Sequence, residues 1–153
     1  NFENFSFVSG RGEQLFDQRT EQYHFAPHCS SNLLAKNVLQ DEAKSIFAGL
    51  IKVDPKAQQT NALQTNRNLL LSRDAEADSL PGLEILANDV SCTHGATTSR
   101  LNQEELFYLL SRGIEKKSAE SLISLGFLEE IIGKIQDEEL TQRIREMVYT
   151  HFK

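Results

Sequence analysis

The hydrophobic pattern of this chain changes near residue 100, and the change restricts the folds that are open to it. Before residue 100, short apolar runs are separated by polar segments rich in Asn, Gln, Thr and Asp, without helical periodicity between them. Such spacing disfavours a sheet of alternating strands and helices and favours a β-sandwich, a β-barrel or a β-helix. The predicted strands are Leu33–Leu39, Ile46–Val53, Leu69–Leu71 and Leu83–Cys92.

Amide and hydroxyl side chains are concentrated between Thr60 and Asn68. Side chains of this kind stack into ladders when strands repeat in register, so the segment favours the β-helix among the three folds. An ordinary polar turn is the alternative interpretation. The acidic stretch from Asp74 to Asp78 precedes Pro81-Gly82 and is interpreted as a solvated loop.

From Asn102 onward, the apolar residues repeat at helical spacing. Asn102 is followed three residues later by Glu105, which resembles a capping box and predicts a helix start. Arg112-Gly113 supplies the cation and the left-handed glycine that are typical of a helix end. Two further amphipathic runs follow, one from Ala119 to Ile132 and one from Asp137 to Val148, so we expect about three helices.

The chain therefore divides into a β-rich part, residues 1–100, and a helical part, residues 101–153. A length of 153 residues with 39% hydrophobic content is sufficient for one domain with a small helical appendage. Because a short helical tail buries little surface by itself, we expect it to dock on the β-rich part or on another protein.

Composition excludes several classes of function. The net charge of -6, without a long basic run, argues against nucleic-acid binding, and no apolar stretch is long enough to span a membrane. Two cysteines are too few for a disulfide framework, so we expect a reduced, cytoplasmic protein. The first residues lack an initiator Met and a targeting pattern, and we expect a fragment of a longer chain.

Cys92-Thr93-His94 is the stretch with the clearest potential for chemistry. If Val90 to Ala96 is extended, Cys92 and His94 project from the same face, about 6.5–7 Å apart. Thiolate and imidazole are both metal ligands, but two ligands do not complete a zinc or iron–sulfur site, so a partner chain must supply the others. The alternative is that both residues only pack in the structure.

Other candidate sites are weaker. His24, His28 and Cys29 lie close together in the sequence, but their spacing matches no metal-binding rule, and a structural role is favoured. The chain has no phosphate-binding loop, dinucleotide fingerprint or nucleophile elbow. Without these motifs, the chain is not expected to hydrolyse ATP or to transfer hydride by itself.

Three ordered blocks resemble the C-terminal part of the SufB/SufD family, whose members are scaffold subunits for iron–sulfur cluster assembly. The blocks are Asn66–Ser72, Leu83–Thr97 and Glu104–Ile114, and the similarity spans most of Cys29–Phe127. The chain is more similar to the SufD branch. SufB proteins typically have a cysteine in the block that here reads Gln64–Asn68, and Glu-x-Glu-Ala-Thr where this chain has Cys92–Thr97.

The resemblance implies a right-handed parallel β-helix, here truncated, followed by a helical C-terminal domain. It also implies two partners: SufB, which pairs through the β-helix ends, and the ATPase SufC, which docks on the helical domain. A nascent iron–sulfur cluster forms at the interface with SufB in this family, and the matching ligand is His94. Cys92 matches a cysteine of the same block, as an auxiliary ligand or an interface residue.

The first helix is our prediction for part of the ATPase-docking surface; the alternative is that it covers the end of the β-helix. The residues predicted to bind this partner are Glu104, Glu105, Leu106, Phe107, Tyr108 and Arg112.

The resemblance makes a non-catalytic assembly scaffold the leading hypothesis. It predicts a transient cluster shared with a partner, no cofactor in the isolated chain, and a cytoplasmic location, or the plastid stroma in a plant. An isolated fragment with an unpaired strand edge can also form a homodimer. The alternatives are a SufB-like sister subunit, an autonomous metal-dependent or thiol enzyme using Cys92 and His94, and a purely structural interaction module.

Overall fold

The computed structural model describes residues 1–152, in which seven strands precede three helices. The strands are β1 Phe2–Gly10, β2 Leu15–His24, β3 Ser30–Leu39, β4 Lys44–Val53, β5 Thr60–Leu70, β6 Glu76–Ile85 and β7 Val90–Arg100. The helices are α1 Gln103–Ser111, α2 Lys116–Ile132 and α3 Glu138–His151.

The strands form a β-solenoid, because each of the first five pairs in parallel with the strand two places later in the chain. The odd-numbered strands form a sheet with the order β1-β3-β5-β7, which we call sheet A. The even-numbered strands form a second sheet, β2-β4-β6, which we call sheet B. Of the three folds that the strand spacing allowed, the β-helix is therefore confirmed, with about three turns.

Several predicted strand limits were wrong. Leu69 and Leu70 of the predicted short strand are the end of the longer β5, Leu71 lies just beyond it, and the polar segment before them is part of that strand. The run Leu83–Cys92 is divided between β6 and β7. The stretch interpreted as an acidic loop enters β6 at Glu76, and this strand also contains Pro81. Proline is tolerated there because β6 is at the edge of sheet B.

Asparagine and serine side chains form a hydrogen-bonded network inside the solenoid. Asn37 donates through Nδ2 to Asn68 Oδ1 at 2.8 Å and to Ser45 Oγ at 3.0 Å. Asn68 Nδ2 in turn donates to Asn66 Oδ1 at 3.0 Å, and Ser79 Oγ donates to the same oxygen at 2.6 Å. Paired amides of this kind stabilise a polar interior and fix the register of the strands that carry them. The predicted amide ladder is therefore present at Asn66 and Asn68, the end of the polar segment.

The helices pack on the outer face of sheet A, as expected for a helical segment that buries little alone. Val38 and Leu69 of the sheet share one hydrophobic cluster with Leu128 and Ile132 of α2 and Val148 of α3. All five side chains are buried, with exposed fractions of 6% or less. Burial of this apolar surface is the main force that holds the helices on the solenoid.

An ion pair reinforces this contact. The Lys36 ammonium on β3 lies 2.6 Å from the Glu130 carboxylate and donates to the Phe127 carbonyl at 2.7 Å, both on α2. Arg67 on β5 lies 3.2 Å from the same carboxylate. Because the Lys36 side chain is only 5% exposed, these partners replace the water that would otherwise surround its ammonium.

The boundaries of α1 follow the predicted capping residues. Asn102 caps α1, and its side-chain oxygen accepts hydrogen bonds from the backbone N–H groups of Glu104 and Glu105. Gly113 follows the end of α1 with a φ of 81°, the left-handed conformation that favours glycine. Asp137 caps α3 by accepting from the N–H of Leu140. Among the residues described, no helix has the length and apolar character needed to cross a membrane.

Candidate functional site

The last strand of sheet A, β7, has one free edge. β7 pairs with β5 on one side, and within residues 1–152 no strand pairs with its other side. β6 is likewise the last strand of sheet B. Unpaired N–H and C=O groups along such an edge can pair with a strand of another chain. This end of the solenoid is therefore open.

Cys92 and His94 lie on the inward-facing side of β7. Their register partners on β5 are Ala62 and Gln64, which are both fully buried in the solenoid interior. Because parallel neighbours in register point the same way, Cys92 and His94 share this inner face. Their Cα atoms are separated by about 6.5–7 Å, the rise of two strand residues. The structure thus brings together the two residues that the sequence pattern paired.

Cys92 is half-buried against the solenoid core. It packs on a cluster that contains Ile51, Val53, Ala57 and Ala62. Burial raises the pKa of the Cys92 thiol above its ordinary value of 9.0, and a backbone hydrogen bond with Ala62 opposes this in part. The group is therefore a neutral thiol at neutral pH, and a metal must displace its proton in order to bind.

His94 is exposed at the open end of the solenoid. Among the hydrogen bonds of residues 1–152, none involves its imidazole ring. Both ring nitrogens are thus available, one to bind a metal and the other to donate a hydrogen bond. His94 is the more accessible donor of the pair.

The number of donors limits what this chain can bind alone. No group of three or more His, Cys, Asp or Glu side chains in the described part of the chain is arranged to hold a metal ion. Iron–sulfur clusters usually take four protein ligands. Cys92 and His94 alone therefore do not supply a complete set of ligands for such a cluster.

The other histidine and cysteine candidates are not arranged as a site. His24 is buried, and its Nε2 lies 2.8 Å from Ser31 Oγ. Burial lowers the pKa of His24, which favours the neutral ring. Cys29 Sγ lies 3.6 Å from the Pro27 carbonyl, and the backbone N–H of His28 donates to the Gln58 carbonyl. These contacts favour the structural interpretation.

The first helix presents an aromatic surface to solvent. Phe107 is 71% exposed and Tyr108 is 56% exposed, and the Arg112 guanidinium lies 5.1 Å from the centre of the Tyr108 ring. Glu104 and Glu105 lie in the exposed first turn of the helix. We call the exposed apolar and cationic residues Phe107, Tyr108, Leu110 and Arg112 the α1 surface.

Leu106 has a different environment from the other predicted docking residues. It is buried in a cluster with Leu101 and Ala119, so it lies on the side of α1 that packs against the rest of the protein. Leu110 and Leu122 were not predicted as surface residues, although they are 38% and 41% exposed. The spacing of three residues between Phe107 and Leu110 is the sequence signal that places both on one side of the helix.

Comparison with known proteins identifies relatives over most of the chain. The family model for the SUF system FeS cluster assembly SufBD core domain matches residues 1–127. The iron–sulfur cluster assembly protein SufD of Escherichia coli is 40% identical over 131 residues, which cover 86% of this chain and 31% of that protein. SufD of Bacillus subtilis is 37% identical over 137 residues, which cover 90% of this chain and 31% of that protein.

A plant protein is also similar: chloroplastic protein ABCI7 of Arabidopsis thaliana is 35% identical over 137 residues, covering 89% of this chain and 29% of that protein. The chain spans about a third of the length of the curated relatives that it matches. The family model covers both the solenoid and the first half of the helical segment. The chain belongs to the SufBD family of iron–sulfur cluster assembly proteins, and its matched relatives include SufD proteins.

Proposed function

We propose that this chain is part of a non-catalytic, SufD-like scaffold subunit that helps to form an iron–sulfur cluster at an interface with SufB. The observation that carries the proposal is the pair of inward-facing donors, Cys92 and His94, on a strand with an unpaired edge. The cluster is cargo, built at the interface and passed on. The solenoid of residues 1–100 faces SufB, and the helical residues 101–153 face the ATPase SufC.

A set of cluster ligands that is incomplete in each chain is appropriate for a scaffold. Imidazole and thiolate both bind iron, so His94 is the primary ligand of this chain and Cys92 an auxiliary one. Strand pairing along the free edge of β7 brings the donors of a second chain beside them. Because neither chain alone completes the coordination of the cluster, separation or rearrangement of the interface releases it.

Replacing His94 by Ala tests the scaffold function. We expect the protein at its full natural length to co-purify with SufB and SufC in both forms, because an exposed side chain contributes little to packing. After anaerobic loading with iron and sulfide, the visible absorption of a cluster should appear in the wild type and be lost in His94→Ala.

His28→Ala is the matched control for this experiment, since His28 is also exposed but lies between β2 and β3 and not on β7. It should load normally. Normal loading of His94→Ala would instead support the purely structural interaction module, an alternative that the packing of Cys92 in a core cluster favours.

We further propose that the α1 surface is part of the docking site for SufC. An exposed aromatic ring beside a guanidinium is typical of the residues that contribute most to protein–protein binding. Phe107→Ser should reduce co-purification of SufC by at least tenfold and leave SufB bound. Phe25→Ser is the control. The exposed fraction of Phe25, 72%, is close to the 71% of Phe107, but Phe25 lies just after β2 and not on α1. Equal retention of SufC by both variants would exclude this docking site.

The relatives also suggest where the protein works. Bacterial SufD proteins and a plant protein named as chloroplastic are both among them. We propose a cytoplasmic location in a bacterium and the plastid stroma in a plant.

A further inference from the structure

Gln64 is a buried amide without a hydrogen-bond partner. Its side chain is 0% exposed, and neither Oε1 nor Nε2 is paired with any of residues 1–152. The next two inward-facing residues of β5, Asn66 and Asn68, are by contrast joined to the interior network. An unpaired amide in the interior reduces stability, so its presence calls for an explanation.

The position of Gln64 connects it to the proposed ligand. Gln64 and His94 are register partners on β5 and β7, about 4.8 Å apart, and both face inward. On its other side, Gln64 is paired with Leu33 of β3, whose side chain can neither donate nor accept a hydrogen bond. Along sheet A, the imidazole of His94 is therefore the neighbouring polar side chain.

Sheet B provides space for the amide but no hydrogen bond to it. A Cβ on Gly49 would lie only 2.5 Å from Gln64 Oε1, so the amide occupies the room that this glycine leaves. Gly49 has two register partners. Pro81 on β6 has neither a polar side-chain atom nor a backbone N–H, and Thr20 on β2 has a buried hydroxyl that makes no hydrogen bond to the amide. The amide is thus held in the interior one strand away from His94, with its hydrogen-bonding capacity unused.

We propose that Gln64 is a positioning residue for His94, a proposal that rests on the proposed function. Rotation about its side-chain bonds turns the amide from Gly49 toward β7, where Oε1 accepts a hydrogen bond from the His94 ring. One ring nitrogen then carries the hydrogen and the other presents its lone pair to iron. A histidine that binds a metal almost always donates its second N–H in this way, which fixes its tautomer and the orientation of its ring.

The test compares Gln64→Leu with Gln18→Leu in the protein at its full natural length, bound to SufB and SufC. Gln18 is the matched control because it is also an inward-facing glutamine with an unpaired amide oxygen, but it lies on β2. After iron and sulfide loading, the rate of cluster loss to an iron chelator is followed by visible absorption. Gln64→Leu should lose its cluster about 10- to 100-fold faster than the wild type, and Gln18→Leu should match the wild type.

Two further variants separate positioning from packing. Gln64→Glu keeps an acceptor oxygen and should restore slow cluster loss, whereas Gln64→Met removes it with little change of shape and should behave like Gln64→Leu. The unfolding temperature of the cluster-free protein should not fall in Gln64→Leu, because the substitution removes an unpaired buried amide.

Slow cluster loss in both apolar variants, while His94→Ala still fails to load, would overturn the role of Gln64 and leave the proposed function standing. Normal loading of His94→Ala would remove the proposed function and this role together. Fast loss in Gln64→Leu and Gln64→Met with recovery in Gln64→Glu is the result that the proposal requires.

Discussion

Replacement of Glu130 by Ala should destabilise the protein by about 3 kcal/mol, because it leaves a buried ammonium without its carboxylate. The Lys36 side chain is 5% exposed and lies 2.6 Å from the Glu130 carboxylate. Lys36 retains the Phe127 carbonyl as a hydrogen-bond partner, and Glu130 itself is 45% exposed, so the effect is at the low end for a broken buried pair. Urea unfolding followed by the helical circular dichroism signal measures the change.

Glu129→Ala is the matched control. Glu129 is the preceding residue of α2 and pairs with Arg145, but that pair is more exposed, with exposed fractions of 36% for Arg145 and 41% for Glu129. Its loss should cost about 1 kcal/mol or less. Similar values for Glu129→Ala and Glu130→Ala would mean that burial of Lys36 does not determine the strength of the contact.

Lowering the pH should destabilise the wild type in the same way as the Glu130→Ala substitution. The hydrogen bond from Lys36 is the main cause that holds the pKa of Glu130 below its ordinary value of 4.5. A carboxylate with a lowered pKa stabilises the folded state above the pKa of the unfolded chain, and this contribution is lost as pH falls through the folded pKa. The stability difference between the wild type and Glu130→Ala should therefore shrink below pH 4.5.

Leu128→Ala should cost about 2–5 kcal/mol, since it opens a cavity between α2 and sheet A. Leu128 is 0% exposed and belongs to the cluster that joins the helices to Val38 and Leu69 of the sheet. Leu122→Ala on the same helix is the control, because Leu122 is 41% exposed and should cost less than about 1 kcal/mol. Chemical unfolding of both variants gives the comparison, and equal costs would contradict the packing described for α2.

The sequence predicted the solenoid only in part. Regular apolar runs reduced the choice to three β folds, the amide-rich segment favoured the β-helix, and the resemblance to a known family selected it. β1 and β2 were not predicted, because inward-facing positions on these strands carry polar residues such as Asn4, Ser6, Gln18 and Thr20. Period-two apolar alternation is therefore weak there, and pairing with β3 and β4 determines the conformation instead.

For the candidate site too, the sequence predicted the features that depend on neighbouring residues and not those that depend on the pairing of distant strands. A two-residue spacing was enough to place Cys92 and His94 on one face, because alternation is a local property of a strand. Their position at an open end depends on β7 being the last strand of its sheet, which follows from the pairing of all strands. The burial of Leu106 likewise could not be predicted from the sequence, because Leu101 and Ala119 surround it only after α1 and α2 pack together.

Parallel pairing between every second strand also has a consequence for dynamics. In a solenoid each turn is stabilised by its neighbours, so cooperativity is largely between adjacent turns and the ends open with the lowest free energy. β7 has a neighbour on one side only, and its hydrogen bonds to β5 are the last of their sheet. The strand that carries the two candidate ligands is thus among the first to fray, and an added strand from a partner would slow hydrogen exchange there before affecting the turns further inside.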